Sequence, residues 1–226
     1  MFHYGIFTPL KTKQPMEVTI TILIITCVVS FMAFSNQAII DKLIFYPPAV
    51  SNQKEWYRFF TCGIIHADIA HLAFNMFSFY LFGKLVELEF RLIFPETGRF
   101  LYAALYVSSL AVCLLPTYAK HKENYYYKSL GASGAVSAVV FAGIFLFPTL
   151  KIGLFIIPPI IPAFIFAPIY LIITAYLDKK GDSSINHSAH LWGALYGLAF
   201  LIVTSYFLSD FRPVANFIQE VTNYFD

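Results

Sequence analysis

The sequence predicts an all-α membrane protein, a bundle of six transmembrane helices. Three observations carry that reading. Hydrophobic residues make up 58% of the chain and charged residues only 12%, about half the charge of a soluble domain. The mean hydropathy is +0.68. The apolar residues also gather into six stretches near the length of about 20 residues that crosses a hydrocarbon core.

The stretches are 18–34, 69–88, 100–115, 130–147, 150–177 and 189–208. Lys11 and Lys13 before the first imitate a signal peptide, but no small-x-small cleavage site follows, so it reads as an uncleaved helix. The hydrophilic gaps are short. One membrane domain, 17–209, is therefore expected between an N-terminal segment, 1–16, and a short C-terminal tail, 210–226, that is amphipathic over 214–225. The longest gap, 39–63, holds Pro47, Pro48 and a cluster of Trp56, Tyr57, Phe59 and Phe60 around Arg58. Such amphipathic aromatics favour the headgroup layer. The fifth stretch carries Pro158, Pro159, Pro162 and Pro168. Proline disfavours a straight helix, so this stretch is expected to kink, either as a fixed bend that fills space or as an element that yields to entry from lipid.

Other classes are excluded early. A net charge of +2 without a basic run gives no nucleic-acid surface. Cys27, Cys62 and Cys113 lack the spacing of a disulfide framework or a metal knuckle. Lysine and arginine fall in nearly equal numbers on the two predicted sides, so charge alone does not set the orientation.

Polar groups inside spanning helices cost free energy and mark functional sites. Three places stand out: His66, His71 and Asn75 at the second helix; Gly131-Ala132-Ser133-Gly134 at the start of the fourth; His187-Ser188-Ala189-His190 at the start of the sixth. These three helices run in the same direction, and the polar residues lie near their N-termini, hence at one depth. His71 and Asn75 share a helical face by their i, i+4 spacing. Gly134, Ala138 and Ala142 form a row of small residues, and Ala189, Gly193 and Gly197 form another. Such rows let helices approach closely in lipid. Packing them together brings the Ser133 hydroxyl to the His190 imidazole, the minimal arrangement of nucleophile and base.

Each feature alone has an ordinary structural reading. A serine at a helix start serves as an N-cap, a histidine bonds a neighbouring helix, and small-residue rows are common in membranes. Their coincidence at one depth is what points to a site. The rival chemistries fit poorly. No His-Glu-x-x-His is present for a zinc protease, and no metal site or cofactor is expected. Asp178 and Asp182 lie in a predicted loop, not in apolar helices. Gly134 directly follows Ser133, unlike Gly-x-Ser-x-Gly of soluble hydrolases.

With these residues in place, the chain resembles the rhomboid family of intramembrane proteases over roughly residues 17–208. The matching motifs are Gly131-Ala132-Ser133-Gly134, Ala189-His190-x-x-Gly193-x-x-x-Gly197, and His66 with His71 and Asn75. Glu87 after Gly83 matches a glutamate ending the second helix. Trp56 and Arg58 match a Trp-Arg pair, here separated by Tyr57. The resemblance implies a six-helix core, a cytoplasmic N-terminus, the bacterial inner membrane and a site opening outward. It implies Ser133 and His190 as a catalytic dyad. His71, Asn75 and Gly131 with the Ser133 N–H would stabilise the oxyanion, and Gly134, Gly193, Gly197, Arg58 and Glu87 would serve packing. The expected partners are transmembrane protein substrates within the lipid bilayer. Many bacterial members carry a tyrosine one turn after the nucleophile, against which the histidine stacks; here that position is Ser137. A non-catalytic relative that binds transmembrane segments, or a small transporter using His71, Asn75 and His190, are the alternatives.

Overall fold

The computed structural model describes residues 17–154, 157–181 and 185–226. The expected segment 1–16, with Lys11 and Lys13, and Asp182 lie outside the described residues. The fold is mostly helical. It begins with α1 (Val18–Phe34), then a first loop folded into α2 (Gln37–Leu43), α3 (Pro47–Gln53) and α4 (Arg58–Thr61). The long α5 (Ile69–Ile93) follows, then α6 (Gly98–Val112), α7 (Leu115–His121) and α8 (Ser133–Leu146). A β-hairpin, α9 (Ala163–Lys180), α10 (His187–Leu208) and the surface helix α11 (Pro213–Asn223) complete it.

Among the described residues, three stretches are long and apolar enough to cross a membrane: Ile69–Ile93, Gly98–His121 and His187–Leu208. α1 and α8 are apolar but shorter, at 17 and 14 residues. α8 is the hub of the bundle. Eleven of its 14 residues are buried, and it packs against α5, α6 and α10. A helix surrounded on all sides by other helices needs apolar and small residues all round, which Ser133–Leu146 supplies.

The fifth predicted span is corrected. Lys151–Leu154 (β1) and Ile157–Pro162 (β2) form an antiparallel hairpin, with Ile152 opposite Ile161. The helix begins only at Ala163. Hydropathy cannot separate strand from helix in an apolar run. The backbone chemistry does: Pro158, Pro159 and Pro162 lack the N–H donors a helix requires, and isoleucines favour strand. Of the four prolines only Pro168 lies inside α9, so the expectation of a yielding, proline-kinked fifth helix loses most of its basis.

The second predicted span is corrected at its end. Glu87 does not end α5, which continues to Ile93. Instead the buried Glu87 carboxyl reaches the start of α1. Its two oxygens accept from Val18 N–H at 2.8 Å and Thr19 N–H at 2.9 Å. The Thr19 hydroxyl donates to it at 2.7 Å and accepts from the Tyr102 hydroxyl at 2.8 Å. Helix starts leave N–H groups without intrahelical partners, and lipid offers no water to satisfy them. Glu87→Ala is therefore expected to destabilise the fold by about 2–4 kcal/mol, since each buried group left unpaired costs about 1–3 kcal/mol. Thermal unfolding in detergent micelles measures this, and an unchanged midpoint would show that the network contributes nothing.

The first loop is not a surface skirt throughout. Trp56, Tyr57 and Phe60 are exposed, as interfacial aromatics should be, but Phe59 is buried against Phe45 and Val50. Arg58 is buried and donates to the Asp41 and Ile44 carbonyls at 2.9 and 2.7 Å, with Glu55 as its ion-pair partner. It thereby ties α4 to the end of α2 and to the turn that follows α3. The three cysteines are free.

Candidate active site

The segment entering α8 is held from both sides. Ser129 pairs with Phe45 as an isolated β-bridge, and Gly131 N–H donates to the Cys62 carbonyl at 2.9 Å. Gly131 then turns with φ +110°, a conformation that L side chains rarely adopt. A Cβ there would also lie 2.7 Å from His71 Cε1. Gly131 is thus required twice, by the turn and by the imidazole beside it.

Ser133 is the first helical residue of α8. The residue before it, Ala132, offers no side-chain cap. The ordinary reading of Ser133 as an N-cap therefore does not hold, and its hydroxyl is directed elsewhere. It lies 2.6 Å from His190 Nε2, across 57 residues of sequence.

His190 is fixed by the first turn of α10. The Asn186 side chain caps that helix by accepting from Ala189 N–H at 3.0 Å, and the Thr117 hydroxyl on α7 donates to the same Asn186 oxygen at 3.1 Å. The sequence reading passed over Asn186, although asparagine before an apolar run is a helix-start signal. The two small-residue rows meet as expected. A Cβ on Gly193 would fall onto the Gly134 carbonyl, and one on Gly197 onto the Ala138 carbonyl. α8 and α10 share the most extensive contact in the chain.

His71 and Asn75 occupy the first two turns of α5. Asp68 caps this helix by accepting from His71 N–H at 2.8 Å. The buried Asn75 side chain donates to the His71 carbonyl at 3.0 Å, which occupies one of its two amide protons. The His71 ring lies edge-on to His66 at 5.0 Å between centroids. His66 is fully buried, with Nδ1 3.0 Å from the Ser30 hydroxyl on α1. Ser133, His190, His71 and Gly131 are thus brought together through direct neighbours. Glu87 and Arg58 are not part of this cluster. Among the described residues no group of three His, Cys, Asp or Glu is placed to hold a metal ion.

The second nitrogen of His190 has a partner the sequence did not announce. Tyr170 on α9 places its hydroxyl 3.3 Å from His190 Nδ1 and 3.2 Å from the Ser137 hydroxyl. The line Ser133–His190–Tyr170–Ser137 therefore leaves α8, crosses α10 and α9, and returns to α8 one turn below its start.

A family model described as the rhomboid domain matches residues 53–207. The chain is 31% identical over 185 residues to "Rhomboid-like protein 11, chloroplastic" of Arabidopsis thaliana, covering 75% of this chain and 58% of that protein. It is 31% identical over 169 residues to "Putative rhomboid protease YdcA" of Bacillus subtilis, covering 72% of this chain and 75% of that protein. It is 33% identical over 144 residues to "RHOMBOID-like protein 12, mitochondrial" of Arabidopsis thaliana, covering 59% of this chain and 42% of that protein. The chain thus spans little more than half the length of the chloroplast relative.

Proposed function

Since the chain belongs to the rhomboid family, we propose that it is an intramembrane serine endopeptidase that hydrolyses peptide bonds in the transmembrane segments of other proteins. The observation that carries this reading is the 2.6 Å approach of His190 Nε2 to the Ser133 hydroxyl. A serine becomes nucleophilic when a base within hydrogen-bond reach takes its proton.

The proposed reaction follows from that pair. His190 Nε2 takes the Ser133 proton as the oxygen attacks the scissile carbonyl. The tetrahedral oxyanion is met by the Ser133 N–H, the free amide proton of Asn75, and His71. Backbone N–H groups in the first turn of a helix lack intrahelical partners, and the positive end of the helix dipole adds to their field. The imidazolium then protonates the leaving amine, which departs and leaves an acyl-serine. Water, deprotonated by His190, attacks the ester and releases the acid product with Ser133 restored.

The proposed architecture is a six-span core made of α1, α5, α6, α8, α9 and α10, covering residues 17–209, with 1–16 and 210–226 as flanks. In this reading the N-terminus is cytoplasmic, the membrane is a bacterial inner membrane, and the site opens to the outer side. The test is hydrolysis of a single-span substrate by the purified protein, together with labelling of Ser133 by a fluorophosphonate. A folded wild-type protein that does neither would sink the reading and favour a binding protein.

The oxyanion assignment has its own consequence. Removing one such donor typically costs about 10²–10³ in turnover. Asn75→Ala and His71→Ala are each expected to lower kcat by about that factor while Ser133 remains labelled. A double variant with wild-type kcat would rule the role out.

A further inference from the structure

Resting on the protease reading, we propose that Tyr170 is the positioning residue of the base, holding His190 through Nδ1 and so making the dyad depend on the seating of α9.

The direction of the chain follows from the role of His190 as base, since the hydroxyls of Tyr170 and Ser137 can each donate or accept. For His190 to accept the Ser133 proton, Nε2 must be bare, so the ring proton of the neutral imidazole sits on Nδ1. Nδ1–H then donates to the Tyr170 oxygen at 3.3 Å. The Tyr170 hydroxyl, with its oxygen occupied, donates onward to the Ser137 oxygen at 3.2 Å. Had the other tautomer been present, Nε2 would carry the proton and be unable to act as base. With Nδ1–H as donor, Tyr170 supports the tautomer that reaction requires, a task a carboxylate performs in triads, and here a neutral hydroxyl stands in that place.

The tyrosine is itself braced. Its ring packs on Phe141 of α8 at 5.3 Å and on Phe166 of α9 at 5.7 Å between centroids. Ser137 is only 7% exposed, so the far end of the chain is anchored inside the hub helix. The substitution of serine one turn after the nucleophile is thereby explained. A tyrosine at position 137 would fill the space that the Tyr170 hydroxyl enters, so the aromatic partner of the histidine comes from α9 instead. Because that partner lies on a different helix from the nucleophile, displacing α9 withdraws it.

Tyr170→Phe keeps the ring packing and removes only the hydroxyl. It is expected to lower kcat about tenfold, the rate equivalent of one neutral hydrogen bond, with KM and the unfolding midpoint unchanged. The rate of Ser133 labelling by a fluorophosphonate should fall in parallel. Ser137→Ala should give a smaller loss, and the double variant should match Tyr170→Phe alone, since Ser137 acts only through the tyrosine. A readout independent of turnover is the ¹⁵N NMR signal of His190, assigned by its loss in His190→Gln. Wild type should show the Nδ1–H tautomer, and Tyr170→Phe should show a mixture. An unchanged kcat and tautomer in Tyr170→Phe overturns the proposal, as does a rise in KM alone, which would make Tyr170 a substrate contact. If wild type neither cleaves nor labels, the protease reading fails, and the tautomer measurement still decides whether Tyr170 positions the imidazole.

Discussion

Ser133→Ala and His190→Ala are each expected to reduce cleavage of a single-span substrate by about 10⁴–10⁶, with the fold retained. The magnitude follows from dyads that act as a unit, where removing either member costs nearly as much as removing both. Residual hydrolysis would come from the oxyanion donors and from binding alone. Retention of the fold follows from the contacts. Ser133 supplies no helix cap, and Ser133→Ala deletes one oxygen whose bond is to His190. His190→Ala removes a half-buried ring and leaves Tyr170 still bonded to Ser137. Circular dichroism and thermal melts of the purified variants separate loss of fold from loss of chemistry. A folded Ser133→Ala that still cleaves would end the serine mechanism.

The second large effect is expected at the seam between α8 and α10. Gly193→Leu and Gly197→Leu each place a Cβ on a backbone carbonyl, that of Gly134 or Ala138. A flexible side chain could swing aside, but a helical carbonyl cannot, so the two axes must separate. Overpacking costs about 1–3 kcal/mol where side chains give way; here the cost is expected at or above the top of that range. Activity should fall by at least about 10²-fold, since a displacement of about 1 Å is enough for such a loss. The two variants should differ in kind. Gly193 lies one turn from His190 and bears on the dyad directly, while Gly197 lies a further turn away and bears more on stability. Thermal unfolding and turnover measured on both variants test this. Wild-type stability and turnover in either one would show that the helices do not depend on close approach.

The parts of the fold legible in the sequence were those where composition and geometry agree. α1 coincides with its predicted span, 18–34, and α10 differs from its span only at the start. The small-residue rows declared which helices touch, and their contact brought Ser133 to His190. Other parts were hidden for identifiable reasons. The hairpin lay inside a stretch that is apolar apart from Lys151 at its start, where only the missing proline donors betrayed it. α5 runs past Glu87, Glu89 and Arg91 because those charges lie on a helix that has left the apolar window without ending. The capping of α1 by Glu87 joins residues 68 and 69 positions apart, which no local pattern encodes. Tyr170 was invisible because the chain holds 15 tyrosines, and nothing local separates one that orients a base from one that fills lipid-facing space.

The contrast between α8 and α9 bears on how such a chain drifts under mutation. α8 has eleven of 14 residues buried. Nearly every position there is constrained in volume as well as polarity, and a change at one demands a matching change on another helix. α9 has only Ala163 and Thr174 buried. Half of its 18 residues are exposed, and in the proposed six-span core that face meets lipid, which accepts any apolar residue of similar transfer energy. Substitutions should therefore accumulate on α9 almost one at a time, whereas α8 should change seldom and in correlated sets. Tyr170 is the exception built into the permissive helix: a position tied by its hydroxyl to the most constrained one. A tyrosine at 137 and the tyrosine at 170 would compete for one space, so exchange of the histidine's aromatic partner between the two helices should take the form of a paired change at both positions.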